Sequence, residues 1–301
     1  MNNSIEKPSI VCYGEVLWDI FSTGTRAGGA PFNVAYNLSK MGVEANIISC
    51  VDNDEYGRTL VTQIKDWGIS SEYIQIDEKH DTGTVIAHID EHNEAHYDIV
   101  QPVAWDFIEF KEDYRQKVAD ADAFVFGSVI TRNEVSRNTL FELLETAKFK
   151  VFDVNIRPPY FSINVVKDLL IKADLVKLNT AELHNIIELL GKDYSSESDA
   201  IRFVKDKFSI NEVIVSKGSQ GAIYCVNEKQ FEFPAVPVTV EDTVGSGDAF
   251  LAGFLSKRIL NAPPDQIMSR ATALGAFITS QSGACPNYTS ADFELFCKSK
   301  I

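Results

Sequence analysis

The chain is short of several things, and each shortage removes a class of function. It carries 28 Lys and Arg against 43 Asp and Glu, a formal net charge of −15. That balance leaves no broad basic surface for nucleic acid or an anionic membrane. An anionic nucleotide needs only a local positive pocket, so it stays allowed. No apolar run approaches the ~20 residues that span a bilayer. The polar segment Met1–Pro8 lacks the basic start and apolar core of a secretory signal. The five cysteines (Cys12, Cys50, Cys225, Cys285 and Cys297) are scattered, odd in number and without C-x-x-C spacing. They read as buried small side chains of a cytoplasmic protein, not as a disulfide frame. Two nucleotide signatures are missing as well. No G-x-G-x-x-G follows the first strand with an acid ~20 residues on, which disfavours a nicotinamide-dependent oxidoreductase. No G-x-x-x-x-G-K-[ST] occurs, which disfavours a P-loop kinase.

What is present alternates. Ile10–Tyr13, Asn46–Val51, Phe124–Phe126, Lys150–Val154, Leu175–Leu178 and Val213–Val215 are short β-branched or aromatic runs that read as buried strands. Between them lie helical stripes: Tyr56, Leu60, Ile64 and Trp67 closed by Gly68, and Leu140, Leu143, Leu144 and Ala147. This order predicts a parallel sheet covered by helices on both faces, with ligands at the carboxyl ends of the strands. Thr84–Val100 breaks the rhythm. Val85, Ala87 and Ile89 precede a polar turn at Asp90–Glu94, and Ala95, Tyr97 and Ile99 follow it, which predicts a hairpin. With the segment around Trp18–Arg26 it forms a small β-layer over a site, a lid. His88, His92 and His96 recur every fourth residue, but hairpin geometry separates them and argues against a metal site there.

The most informative stretch is Asp242–Leu255. Gly245, Ser246 and Gly247 expose backbone N–H groups where a helix begins, a natural anion site. Asp248 sits beside that hole, where a carboxylate repels phosphate unless it has another task, such as taking a proton from an attacking hydroxyl. Asp in a first helical turn is also favourable in itself. Near the other end, Gly28-Gly-Ala-Pro-Phe-Asn33 leads into a helix closed at Gly42. The glycines admit a ligand close to backbone, and Asn33 can both donate to and accept from vicinal hydroxyls. A plain glycine turn explains them equally well. Asp19, leaving a strand in Gly14-Glu-Val-Leu-Trp-Asp19, is either a hydroxyl acceptor or a solvated loop carboxylate.

Together these two stretches resemble the paired signatures of the ribokinase/PfkB family of carbohydrate kinases. The later one matches at every defined position, and the earlier one matches through Gly42, with Asp52 standing where the family pattern has glycine. Phe152–Arg157, Lys177–Glu182 and Ser216–Gly221 occur in family order, so the likeness covers essentially the whole chain. Within the family, Gly14–Asp19 and Gly28–Asn33 are most similar to bacterial-type fructokinases, and Ala30 and Pro31 depart from the ribokinase form.

The resemblance implies a single ribokinase-like domain over residues 1–301. It would be a three-layer αβα sandwich with a mostly parallel central sheet and a small β-sheet lid from about 16–27 and 83–102. It implies ATP-dependent phosphoryl transfer to a sugar hydroxyl, fructose first, with 2-keto-3-deoxygluconate or ribose as alternatives. A non-catalytic sugar-binding regulator is the alternative of another class. Asp248 would be the base, and Gly245, Ser246 and Gly247 would cradle the phosphoryl group. Asp19, Gly28, Gly29, Asn33 and Arg157 would meet the sugar. Lys177, Asn179, Glu182, Ser216, Gly218 and Gly221 would border ATP, and Glu182 would reach Mg²⁺ through water. From the residues alone, Asn179 with Glu182 is equally a capping box. Asp242 and Gly283 resemble a monovalent-cation site, for K⁺. The partners would be the sugar and ATP, and a second copy could pair through the lid.

Overall fold

The computed structural model describes residues 7–22, 24–89 and 95–300. The chain opens with β1 (Ser9–Tyr13), β2 (Leu17–Phe21), β3 (Gly24–Gly28), α1 (Ala30–Lys40), β4 (Glu44–Asp52) and α2 (Glu55–Asp66). It continues through β5 (Ile74–Asp77), β6 (Gly83–Ile89), β7 (Ala95–Ile99), α3 (Glu112–Asp120), β8 (Ala123–Gly127) and α4 (Glu134–Leu144). Next come β9 (Lys150–Asp153), α5 (Ile163–Lys172), β10 (Leu175–Asn179), α6 (Thr180–Leu189) and α7 (Glu197–Phe208). The last elements are β11 (Glu212–Ser216), β12 (Ala222–Val226), β13 (Lys229–Phe233), α8 (Ser246–Arg258), α9 (Pro264–Thr279) and α10 (Ser290–Lys300).

The central sheet has nine strands in the order β13-β12-β11-β10-β9-β8-β1-β4-β5. It is parallel from β5 to β11, and β12 and β13 join antiparallel at one edge. Successive residues of β1 divide between two cores: Val11 and Tyr13 pack with residues of α3 to α7, and Ile10 and Cys12 with residues of α1, α2, α8 and α9. Burial on both faces is why these strands read as unbroken apolar runs. The expected three-layer arrangement is the observed one.

A second, four-stranded sheet has the order β3-β2-β6-β7. β6 and β7 are the antiparallel hairpin expected from Thr84–Val100, and β2 joins β6 in parallel. His88 and His96 are register partners across that hairpin. His92 and the expected turn at Asp90–Glu94 lie outside the described residues.

Asp52, the departure from the family pattern, ends β4 as an ordinary strand residue. Its N–H donates to Thr82 Oγ1 at 3.0 Å, and it is not among the residues with positive φ. Nothing at this position demands glycine, so the local geometry absorbs the change.

The helix that carries the late motif, α8, packs on α9 through small residues. A Cβ at Gly253 would lie 2.9 Å from the Arg270 carbonyl oxygen and 3.1 Å from Ala271 Cα. This contact competes with helix propensity, which favours Ala over Gly by about 1 kcal/mol. We expect the contact to win: Gly253→Ala should lower the unfolding free energy by about 1–3 kcal/mol, as overpacking does. Urea denaturation checks the sign, and a more stable variant would show that α9 can yield there.

Candidate active site

The segments that follow β1, β9, β10 and β11 converge with the start of α8 around a cavity of about 580 Å³. This is the carboxyl end of the parallel sheet, where α/β folds gather ligands. Gly245 is the N-cap of α8, at φ 74°, and the helix proper starts at Ser246. The Ser246 N–H turns back to the Thr243 carbonyl at 3.3 Å, and the N–H groups that follow in the first turn have no partner inside the helix and can meet an anion. The Ser246 hydroxyl donates to the Thr243 carbonyl at 2.8 Å, so the side chain braces its own turn.

Asp248, in that first turn, accepts a hydrogen bond from Asn33 Nδ2 at 2.8 Å across a sequence separation of 215. The early and late motifs are therefore in direct contact. The Cys285 thiol donates to the other face of the same amide, Asn33 Oδ1, at 3.4 Å. Burial pushes the Asp248 carboxyl up to about 6; Lys177 opposes this, Asp153 adds to it, and the Asn33 hydrogen bond opposes it.

Lys177 is the cation of the cavity floor. Its Nζ donates to both oxygens of Asp153, at 2.9 and 3.0 Å, with both side chains nearly buried. It also lies 3.1 Å from where a Cβ on Gly247 would sit, so the ammonium borders the anion hole directly. Burial alone would lower its pKa, but Asp153, Asp248 and Glu182 more than offset that and raise it.

On another wall of the cavity, Asp19 of β2 stands beside β3, its Oδ2 2.4 Å from where a Cβ on Gly28 would lie. Gly28 is thus what lets the carboxylate sit there. Burial raises Asp19 to about 6, with Arg26 opposing. Gly29, at φ 113°, caps α1, and any Cβ there would strike the Glu15 carbonyl at 2.3 Å. Glu15 is 4% exposed and its Oε1 accepts from the Ala30 N–H at 3.3 Å. Burial raises its carboxyl to about 7. Arg157 lies exposed at the cavity rim with Nη1 turned to the Ile156 carbonyl, 3.1 Å away.

Asn179 and Glu182 form a complete capping box for α6: Asn179 Oδ1 accepts from the Glu182 N–H at 2.9 Å and Glu182 Oε2 from the Asn179 N–H at 2.8 Å. Glu182 Oε1 takes the Ile156 N–H at 3.1 Å. Both carboxylate oxygens already hold backbone donors, and the residue still lines the cavity. Capping therefore does not take the side chain away from the cavity.

Beyond Gly247 a second cavity, about 600 Å³, is walled by apolar residues of the segment after β13 and of α9, including Val236, Pro237, Val238 and Ala276. Ser216, Gly218, Thr243, Ser246 and Gly247 border both cavities. Gly221 lines only the second among these, and its φ of 94° and a Cβ distance of 1.9 Å to the Phe233 carbonyl give it a backbone reason to be glycine.

Asp242 and Gly283 also meet. Asp242 Oδ2 accepts from the Gly283 N–H and from Arg26 Nη1, each at 3.0 Å, and Oδ1 accepts from the Val244 N–H at 3.0 Å.

Sequence reasoning missed Asp153, Glu15, Cys285 and Arg26. The first two lie inside stretches recognised as motifs, each a carboxylate leaving a strand, and that was the available signal. Cys285 and Arg26 carry no local signal, because their partners lie 252 and 216 residues away.

Comparison with known proteins agrees with this geometry. The chain is 28% identical to a fructokinase of Salmonella typhimurium over 275 residues, 85% of this chain and 87% of the relative. A fructokinase of Xylella fastidiosa with bound ATP superposes with a TM-score of 0.86 at 22% identity, covering 97% of this chain and 98% of that one. A fructokinase of Vibrio cholerae O395 in a fructose, ADP and potassium-bound form gives a TM-score of 0.83 at 23% identity, covering 96% and 98%. The description of the pfkB family carbohydrate kinases fits residues 2–291, and the chain belongs to that family.

Proposed function

We propose that this carbohydrate kinase is a fructokinase that moves the γ-phosphoryl group of ATP to a hydroxyl of D-fructose. The observation that carries the reading is the Asp248–Asn33 contact, which seats a carboxylate between the anion hole and the sugar-side loop. A sugar hydroxyl beside Asp248 would lose its proton to that carboxylate as its oxygen bonds to the γ-phosphorus. The bond from that phosphorus to the bridging oxygen breaks, and ADP leaves. The N–H groups at Gly245–Gly247 and the Lys177 ammonium would stabilise charge on the transferring group. Asp19, Gly28, Gly29, Asn33 and Arg157 would hold the sugar, under a lid made by the small sheet. The apolar second cavity would take the adenine ring, with Ser216, Gly218 and Gly221 at its mouth. Mg²⁺, which keeps several waters, fits Glu182, whose oxygens are engaged by backbone and would reach it through water beside Asn179. When bound, the ion would neutralise phosphate charge. The edges of the small sheet, β3 and β7, are the strands through which a second copy would pair.

A coupled ADP-release assay with Mg-ATP should show turnover with fructose exceeding that with ribose or 2-keto-3-deoxygluconate. A reversed order changes the assigned sugar, and no turnover with any of them removes the kinase reading. Asp248→Asn should lower kcat by about 10²–10⁴-fold, the usual contribution of a general base, with sugar affinity by calorimetry nearly unchanged. Near-normal turnover would show that Asp248 is not the base. Since Asp248 acts unprotonated and its pKa is raised to about 6, kcat/KM should be flat above that pH and fall below it. The fall is about tenfold per pH unit if this proton alone counts, and steeper if Asp19 must also be ionised. A profile level down to pH 5 would contradict the assignment.

A further inference from the structure

The family likeness places a monovalent cation at Asp242 and Gly283, and with Arg26 in place the Asp242 carboxylate does not call for one. Gly283 presents its N–H, not an oxygen, to the Asp242 carboxylate at 3.0 Å. The Val244 N–H takes the other oxygen at 3.0 Å. The charge is already answered, because Arg26 Nη1 stands 3.0 Å from Oδ2. Arg26 Nη2 continues to Ser282 Oγ at 3.2 Å, so the guanidinium lies along the Ser282–Gly283 turn. Its Nη1 and Cδ are both 3.6 Å from where a Cβ on Gly283 would sit.

We propose that Arg26 is a built-in cation: it occupies the electrostatic place of a bound monovalent ion, and the protein works without one. The reason for a cation here is positional. Asp242 precedes the anion hole at Gly245–Gly247 by a few residues, and its uncompensated charge would repel an incoming phosphate. A guanidinium stays charged at every physiological pH and offers a planar fork of donors to the carboxylate and the neighbouring hydroxyl. The pair is half-exposed, with side-chain exposures of 47% and 21%, so its value lies in charge placement and not in stability. Arg26 also belongs to β3, in register with Asp19 of β2. The compensating charge is therefore delivered by the strand pair that carries the sugar-side carboxylate.

The test compares wild type and Arg26→Met in KCl and in tetramethylammonium chloride at equal ionic strength. Both turnover and Tm are read; the turnover arm rests on the sugar-kinase reading and the Tm arm does not. Wild type should give the same kcat and Tm in both salts. Arg26→Met should lose turnover in tetramethylammonium and regain it in K⁺ by roughly 5- to 150-fold, the usual span of coupling between two bound species, with a parallel rise in Tm. Arg26→Lys, which keeps a charge, should stay indifferent to K⁺, and Arg26→Gln replaces the Met variant if that fails to fold. A wild-type Tm or kcat that rises with K⁺ overturns the proposal. So does an Arg26→Met protein that K⁺ restores in neither readout. If no sugar is turned over by any form, the kinase reading falls and the Tm comparison still decides this one.

Discussion

One ammonium group makes the cavity floor tenable. Lys177 holds the buried Asp153 carboxylate through two hydrogen bonds and lies near enough to Asp248 and Glu182 for each to raise its pKa. Taking such carboxylates out of water is costly unless a cation and further donors meet them. Asp153 has Lys177, Glu182 has the Ile156 and Asn179 N–H groups, and Asp248 has Asn33. The same ammonium sets the chemistry. Burial alone would drive Asp248 toward the neutral acid, a poor proton acceptor, and Lys177 pulls it back, to about 6. The carboxyl is then ionised at neutral pH yet more basic than a solvated aspartate, the range in which a general base is effective. A chain with a net charge of −15 thus keeps an ammonium beside the start of α8, where an anionic nucleotide would enter on the proposed reading.

Local chemistry was the part of the site that could be read without a structure. A glycine-rich helix start, a capping box and a double glycine before a helix are short-range patterns, and their geometry follows from a few adjacent residues. Alternation of apolar runs and stripes likewise gave the layered sheet, because burial on both faces leaves a mark on every strand. What could not be read are pairings across the sheet. Asp153 ends β9, Lys177 lies in the middle of the neighbouring β10, and the two are register partners. That neighbourhood depends on strand order, which spacing does not encode. Glu15 is hidden for a related reason: its role as partner of the Ala30 N–H exists only once β1 and α1 are folded together.

The family pattern is more restrictive than the physics at Asp52, and the two agree at Gly29. An extended φ at the end of β4 accepts any residue, so a departure there costs nothing structural. At Gly29 the backbone is in a region that side chains avoid and lies against the Glu15 carbonyl, so no replacement fits without moving α1. Moving α1 would carry Asn33 off Asp248. A motif position is therefore as strict as the distance between its backbone and the next element.

The anion hole inherits its rigidity from packing well away from it. Gly275 of α9 lets the Ser246 carbonyl and the Phe250 Cβ approach to 3.3 Å of where its own Cβ would be, which brings α9 against the first turn of α8. Further along, Gly253 receives the backbone of Arg270 and Ala271. Close backbone contact at both points fixes α8 in translation as well as tilt, because neither contact has a flexible side chain that could take up a shift. Catalysis by positioning needs that fixity, since donors aimed at a phosphoryl group act through tenths of an ångström. On the proposed mechanism, the small residues behind the motif are thus part of how Gly245–Asp248 would work. They hold the helix start and its carboxylate in one fixed relation to Lys177 and Asn33, while the strand pair of β2 and β3 brings Asp19 to the other side of the substrate space.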